Sequence, residues 1–196
     1  MPSGAAFTDA GFEEIVIPSI WETDTFIEKA GGSEILDQMF AFKDKAERSI
    51  CLIPEVTGVI QELFRRGDLR PGSNPNYLRK LFYVSRCYRY ERPQRGRQRE
   101  FTQLGVEIVS TDTEPASKAR DKAECVALLQ QFLDRLGVDY RFVGSVKRGL
   151  TYYVENGFEV ECDTLGSQKQ IAGGGTYREG VGFAIGLERL LLAMEG

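Results

Sequence analysis

Apolar positions recur along the chain at spacings that separate helices from strands. Residues 57–66 carry apolar side chains at helical spacing, residues 116–136 form a long amphipathic stretch, and residues 187–194 are predicted as a closing helix. A shorter helical stretch covers residues 22–29. The predicted strands lie at 11–18, 39–42, 49–53, 81–91, 101–109, 140–146, 157–162 and 181–185. Adjacent strands on short loops, with helices interspersed irregularly, indicate an α+β domain built on an antiparallel sheet.

The pattern contains no internal repeat and no linker, so we expect one domain over residues 1–196. Residues 1–10 are mostly small and have no period, and we expect them to be frayed. No apolar run is long enough to cross a bilayer, so we expect no association with a membrane, and the first residues lack a signal-peptide pattern. The 4 cysteines show no CxxC spacing, which argues against a disulfide framework and favours reduced thiols in the cytoplasm.

Charge and composition narrow the chemistry. The chain contains no histidine and has a formal net charge of −4. The lack of histidine excludes Ser-His catalysis and removes the commonest metal ligand, so we assign no metal-binding residue. The acidic balance argues against binding nucleic acid through bulk charge. Arginines nevertheless crowd one short stretch, where we expect an anionic ligand, at Arg86, Arg89, Arg92, Arg95, Arg97 and Arg99.

This stretch is a predicted strand, an arginine-rich loop at 92–100 and a return strand. Strand side chains alternate between faces, so Arg89 and Glu91 share one face of the first strand. The return strand has a polar face with Phe101, Gln103, Gly105 and Glu107, and a mainly apolar face with Thr102, Leu104, Val106 and Ile108. We expect the polar face to form a ligand floor and the arginines to bind phosphate, because a guanidinium can donate two hydrogen bonds to one anion. The alternative is an exposed hairpin with a solvated, charged tip.

A glycine-spaced strand that turns directly into the final helix is the second chemical signal. The first turn of this helix contains Arg189, and helix N-termini and glycine backbones favour the approach of phosphate. The alternative is a packed glycine-rich strand followed by an exposed arginine. The triple glycine at 173–175 is predicted to be a tight backbone feature.

In this order, the two segments resemble motifs 2 and 3 of the class II aminoacyl-tRNA synthetases. The amino-acid sequences of these two segments are most similar to those of histidyl-tRNA synthetase. They are YRYERPQRGRQREFTQLGVE at 88–107 and GFAIGLERL at 182–190. Two further parts agree, namely LIPEVT at 52–57, and KRGLTYY at 147–153 together with AGGGTY at 172–177. The resemblance covers the chain from about residue 11 to its end. It implies a class II synthetase-type antiparallel β-sheet flanked by helices.

The resemblance also implies a role for each matching position. The catalytic residues would be Arg89, Arg148 and Arg189. The ATP-binding residues would be Arg89, Glu91, Arg97, Arg99, Phe101 and Arg189. The amino-acid-binding residues would be Glu55, Thr57, Gln103, Glu107, Tyr152, Tyr153 and Gly174. Taken singly, some have a structural explanation, because Thr57 could be a helix N-cap and Glu55 a first-turn acid.

The implied activity is that of a histidine–tRNA ligase-like catalytic core, which uses ATP and Mg²⁺ to convert histidine to histidyl-adenylate, with tRNA as the acceptor in a full reaction. Two alternatives stay open. One is a non-catalytic, histidine-sensing paralogue that acts as a regulatory subunit, and the other is an adenylating enzyme with a non-tRNA acceptor. Pure RNA binding is disfavoured by the acidic balance.

The chain departs from the family's pattern at several points. Thr151 stands where the family places an acidic residue. The helix that builds the family's dimer interface has no counterpart before residue 11, so a homodimer is possible without that helix. The family's inserted domain is expected to be reduced to residues 139–147, and no anticodon-binding domain is expected after the last helix.

Overall fold

The structure is a computed structural model that describes residues 3–30, 36–147, 152–166 and 168–195. The helices are α1 (Ser3–Asp9), α2 (Asp24–Ala30), α3 (Thr57–Arg66), α4 (Pro115–Arg135) and α5 (Leu187–Met194), with a 3-10 turn at Asp163–Leu165. The strands are β1 (Glu13–Glu14), β2 (Ile20–Glu22), β3 (Ala41–Lys43), β4 (Ser49–Leu52), β5 (Leu78–Tyr88), β6 (Glu100–Ser110), β7 (Arg141–Val146), β8 (Gly157–Glu161), β9 (Gln170–Thr176) and β10 (Gly180–Gly186). Within these residues, no helix has the length and apolar character needed to span a membrane.

Seven strands form the main sheet in the order β1-β5-β6-β10-β9-β8-β7. The short β1 pairs with β5 in parallel, and the other neighbours in this sheet are antiparallel. A second antiparallel sheet has the order β2-β4-β3. The predicted α+β class with a mainly antiparallel sheet and flanking helices is therefore confirmed.

The hairpin of β5 and β6 sets the geometry of the sheet centre. Its register runs from Leu78 opposite Ser110 to Tyr88 opposite Glu100. On its other edge, β6 pairs with β10, which places Gly182 opposite Glu107. The arginine-rich loop therefore emerges at one end of the central strands, close to the start of α5.

The two faces of β6 behave as the alternation predicts. Leu104, Val106 and Ile108 are buried in an apolar layer with Leu129 and Leu133 of α4. Burying one such side chain contributes about 1.5–3 kcal/mol relative to leaving it exposed. The opposite face points toward α3 and the small sheet, and it carries the polar residues of the strand. The apolar face thus anchors the sheet while the polar face is available for a site.

Helix α3 has the bounds that its apolar spacing predicts. Gly67 follows it with a φ of 82° and donates its N–H toward the carbonyls of Leu63 and Phe64, which is the usual left-handed ending of a helix. At the other end, the carboxylate of Glu55 accepts the N–H of Gly58 at 2.8 Å. The hydroxyl of Thr57 does not cap the helix.

The expectation of a frayed start is wrong for Ser3–Asp9, which forms α1. The side chain of Phe7 is fully buried, with its ring centroid 5.5 Å from that of Phe82 and 5.4 Å from that of Phe132. These long-range aromatic contacts hold a segment whose local sequence gives no helical period. The strand expected at 11–18 is also shorter, because only Glu13–Glu14 pairs with β5.

The triple glycine lies inside β9 and does not form a turn. A Cβ at Gly174 would lie 2.2 Å from the carbonyl oxygen of Gly182 and 2.7 Å from the ring of Phe158. Glycine is therefore required at this position because the neighbouring strand and an aromatic ring approach too closely for any side chain.

Candidate active site

One cavity opens on the polar side of the sheet, between the arginine-rich loop, β9, β10 and the start of α5. Most of the predicted site residues line it, namely Glu55, Thr57, Arg89, Glu91, Arg97, Phe101, Gln103, Tyr152, Tyr153 and Arg189. They come from four separate segments of the chain, at 55–57, 89–103, 152–153 and 189, which the fold brings together.

Three predicted site residues in the described part of the chain do not line this cavity. Arg99 lies on the outer side of the loop, with its guanidinium 4.5 Å from the ring centroid of Tyr90. Gly174 is packed inside β9, and Glu107 lies beneath the cavity floor. Arg148 lies outside the described residues, as does Thr151. The roles expected for these residues stay predictions.

Arginine side chains form the cationic end of the cavity. Arg189 donates from Nε to the carbonyl oxygen of Gly96 at 2.6 Å and from a terminal nitrogen to that of Gln170 at 2.9 Å. Arg89 donates from Nε to the carbonyl of Pro54 at 2.9 Å, and its guanidinium lies 5.2 Å from the ring centroid of Phe101. Backbone contacts thus hold both cations in place before any ligand arrives.

Two carboxylates lie among these cations. Arg97 forms an ion pair with Glu91, so the loop arginine folds back onto the segment that follows β5. Glu188 accepts the backbone N–H of Thr102 with both carboxylate oxygens, at 2.8 and 2.9 Å. Sequence reasoning missed Glu188 as a cavity residue, although its place directly before Arg189 is a usable signal.

Glu107 is fully buried beneath the floor. The hydroxyl of Thr57 donates to its Oε1 at 2.6 Å, and the hydroxyl of Tyr177 donates to its Oε2 at 2.7 Å. Burial raises the pKa of the Glu107 carboxyl to about 8, although both hydroxyl groups act to lower it and the carboxylate of Glu55 adds to the rise. A Cβ at Gly182 would lie 1.8 Å from Oε2, so glycine on β10 makes room for this carboxyl. The partner Tyr177 was not among the predicted site residues.

Further polar groups line the floor next to Glu107. Glu55 is nearly fully buried, and its Oε2 accepts the hydroxyl of Tyr152 at 3.4 Å. The rings of Tyr152 and Tyr153 have centroids 4.6 Å apart. The side-chain oxygen of Gln103 accepts from the thiol of Cys87 at 3.2 Å.

The two ends of the cavity therefore differ in composition. The three arginines that line it among the described residues stand at the loop end, together with Glu91 and Glu188, whereas the nearly fully buried Glu55 stands on the floor. This distribution suits a small molecule with anionic groups toward the arginines and a cationic group toward Glu55. In the part of the chain that the structure describes, no group of three or more metal-ligating side chains is assembled.

The model of the tRNA synthetase class II core domain (G, H, P, S and T) matches residues 40–179. This range includes both strands of the hairpin, the arginine-rich loop and the floor of the cavity. The chain therefore belongs to the class II aminoacyl-tRNA synthetase core family, as the resemblance implied.

Relatives within this family are histidine–tRNA ligases. The chain is 26% identical to the enzyme of Clostridioides difficile and 28% identical to that of Thermoanaerobacter pseudethanolicus. These alignments cover 95% and 94% of the chain, and 67% of each relative. The first runs over 286 residues whereas the chain has 196, so the relative contains internal residues without a counterpart here.

Solved structures support the same fold. A pyrrolysyl-tRNA synthetase from Desulfitobacterium hafniense matches with a TM-score of 0.71 at 20% sequence identity. The match covers 98% of this chain and 64% of that one, so the chain spans less than two thirds of the solved structure. At this identity the match establishes the fold and leaves the substrate open.

Proposed function

We propose that the chain activates histidine with ATP, forming histidyl-adenylate and pyrophosphate. The observation that carries this proposal is a cavity with arginines at its loop end, the buried carboxyl of Glu55 on its floor and the buried carboxyl of Glu107 beneath that floor. The similarity to histidine–tRNA ligases supports histidine as the amino acid. Transfer to tRNA in the cytoplasm, by a chain that acts as one domain, completes the proposal.

The loop end of the cavity would bind ATP. The Phe101 ring packs against Arg89 and would provide a surface for the adenine, and Glu91 would accept its exocyclic amino group. Arg97 and Arg189 would hold the outer phosphates together with Mg²⁺. Binding in this manner requires Arg97 to exchange the carboxylate of Glu91 for a phosphate oxygen.

The floor would bind the amino acid. Glu55, Thr57 and Gln103 would bind the ammonium group, and Arg89 its carboxylate. Tyr153 and Glu107 would recognise the imidazole, with Glu107 acting beneath the floor through its hydroxyl partners. A buried carboxyl group that lacks the hydrogen bond from the imidazole N–H is energetically unfavourable. Sites of this kind discriminate against substrate analogues without that donor by a factor of up to about 10⁴–10⁵ in kcat/KM.

The reaction needs electrostatic stabilisation more than proton transfer. The nucleophile is the substrate carboxylate, which already carries its charge, so a chain without histidine can catalyse the step. Negative charge develops at the α-phosphorus as the carboxylate attacks and pyrophosphate leaves. Arg89 and Arg148 would stabilise this charge, and losing one such donor typically lowers the rate by about 10²–10³.

Amino-acid-dependent exchange of pyrophosphate into ATP tests the proposal, with each of the common amino acids assayed in turn. We expect exchange with histidine alone and its loss in Arg89→Ala. The matched control is Arg86→Ala, three residues earlier in the chain, because Arg86 is exposed and pairs with Glu100 away from the cavity. Histidine binding without exchange would instead support the histidine-sensing alternative, and exchange without transfer to tRNA would support another acceptor.

A further inference from the structure

Tyr83 is a buried tyrosine that the proposed roles do not use. It lies in β5, is fully buried, and packs among apolar side chains that include Ile53, Val59 and Ile60. Its hydroxyl makes no hydrogen bond within the described part of the chain. A phenylalanine would fill the same apolar space, so packing does not explain the hydroxyl.

The fold accommodates this hydroxyl at the expense of stability. A buried hydroxyl without a partner destabilises the folded state, and such groups in native structures call for an explanation. Gly105 pairs directly with Tyr83, and a Cβ at this glycine would lie 2.1 Å from Cζ and 2.2 Å from the hydroxyl oxygen of the tyrosine. The neighbouring strand therefore lacks a side chain where the hydroxyl lies.

The position of the hydroxyl connects it to the amino-acid floor. Gly105 stands between Gln103 and Glu107 on the polar face of β6. Burial raises the pKa of the Tyr83 phenol well above its usual value, the carboxyl groups of Glu107 and Glu55 raise it further, and the hydroxyl of Thr57 lowers it. The phenol is therefore neutral and available as a hydrogen-bond donor on the face of the sheet that carries Glu107, the hydrogen-bond partner of Thr57.

Thr57 can accept such a hydrogen bond. Its hydroxyl uses its proton to donate to Glu107 Oε1 at 2.6 Å, which leaves the lone pairs of the oxygen available. Thr57 also lines the cavity, whereas Tyr83 does not. A small movement of Thr57 upon ligand binding would complete a chain of hydrogen bonds from the phenol to the buried carboxyl.

We propose that Tyr83 is a positioning residue for the amino-acid substrate, which donates to Thr57 in the ligand-bound state and fixes the Thr57–Glu107 pair beneath the substrate side chain. This inference rests on the proposed function. It assigns the unpaired hydroxyl to substrate recognition, because the hydrogen bond that it lacks in the free protein is formed when substrate binds.

The test is Tyr83→Phe, assayed for histidine-dependent exchange and for thermal stability. We expect KM for histidine to rise about tenfold, as for the loss of one hydrogen bond, with KM for ATP unchanged. The melting temperature should stay the same or rise, because the variant removes an unpaired buried hydroxyl. The control is Tyr77→Phe, a tyrosine whose hydroxyl lies 3.5 Å from the carbonyl of Phe64, and it should leave both KM values unchanged.

A double variant separates action through Thr57 from a direct effect. If the phenol acts through Thr57, Tyr83→Phe should add little to the KM of a Thr57→Ala protein, whereas independent effects would multiply. A lower melting temperature in Tyr83→Phe with an unchanged KM for histidine would overturn the inference, as would fully multiplicative effects. Lack of histidine-dependent exchange in the wild type would contradict the proposed function, and the inference with it.

Discussion

The buried carboxyl of Glu107 makes the stability of the protein depend on pH in a defined direction. Burial raises its pKa from 4.5 to about 8. Between these two values the folded protein holds a proton that the unfolded chain has released. The buried carboxyl therefore destabilises the folded protein least below about pH 4.5. The free energy of unfolding falls as the pH rises from there toward 8.

The size of the effect follows from the same shift. Each unit of pH within the window lowers the free energy of unfolding by up to about 1.4 kcal/mol for one proton. The whole window therefore corresponds to a loss of at most about 5 kcal/mol. Glu107→Gln removes the titration while keeping the shape of the neutral side chain, so this slope should disappear. One amide N–H beside Thr57 and Tyr177 would lack an acceptor, which costs about 1–3 kcal/mol at every pH.

Urea unfolding of both proteins from about pH 5 to about pH 8.5 measures the difference. We expect the wild type to lose stability relative to Glu107→Gln as the pH rises, while other titrating groups contribute equally to both curves. Parallel curves would show that the carboxyl is not held neutral in the folded protein. The exchange assay on the same variant should show weakened selection for histidine, which distinguishes the role in recognition from the role in stability.

Three further substitutions test the cationic end, the floor and the core. Arg189→Ala should lower kcat for exchange by about 10²–10³, and a near wild-type kcat would contradict its place beside the phosphates. Gly182→Ala would put a Cβ 1.8 Å from Glu107 Oε2, so we expect a loss of about 1–3 kcal/mol or more in urea unfolding together with weakened histidine binding. The side chain of Leu129 in α4 is fully buried, so Leu129→Ala should lower the free energy of unfolding by about 2–5 kcal/mol with an unchanged m value. A loss below about 1 kcal/mol would mean that this core layer is loosely packed.

Much of the fold could be predicted from local patterns. Helices α3 and α5 have the predicted bounds, because their apolar spacing and flanking glycines specify a helix without help from distant residues. The division of β6 into two faces follows from strand geometry alone, and the burial of Leu104 and Val106 against α4 confirms it.

The errors arose where distant contacts decide the structure. Helix α1 depends on the packing of Phe7 against residues far along the chain, which no local pattern reveals. The triple glycine was predicted to be a tight backbone feature, but a sequence does not show that it lies inside a strand. Gly174 is required by the nearby backbone of Gly182. Tyr177 and Tyr83 escaped notice as site residues for a similar reason, since the value of a hydroxyl depends on which buried group it meets.

The contacts of Arg189 have a consequence for the arginine-rich loop. The guanidinium of Arg189 donates to the carbonyl of Gly96 in the loop and to the carbonyl of Gln170 in β9, so one side chain connects two distant parts of the chain. An anion that draws this guanidinium into the cavity would release or tighten both parts together. The backbone amides of the loop should then change their rate of hydrogen exchange whenever the cavity is occupied, which makes the loop an internal reporter of ligand binding even when no reaction takes place.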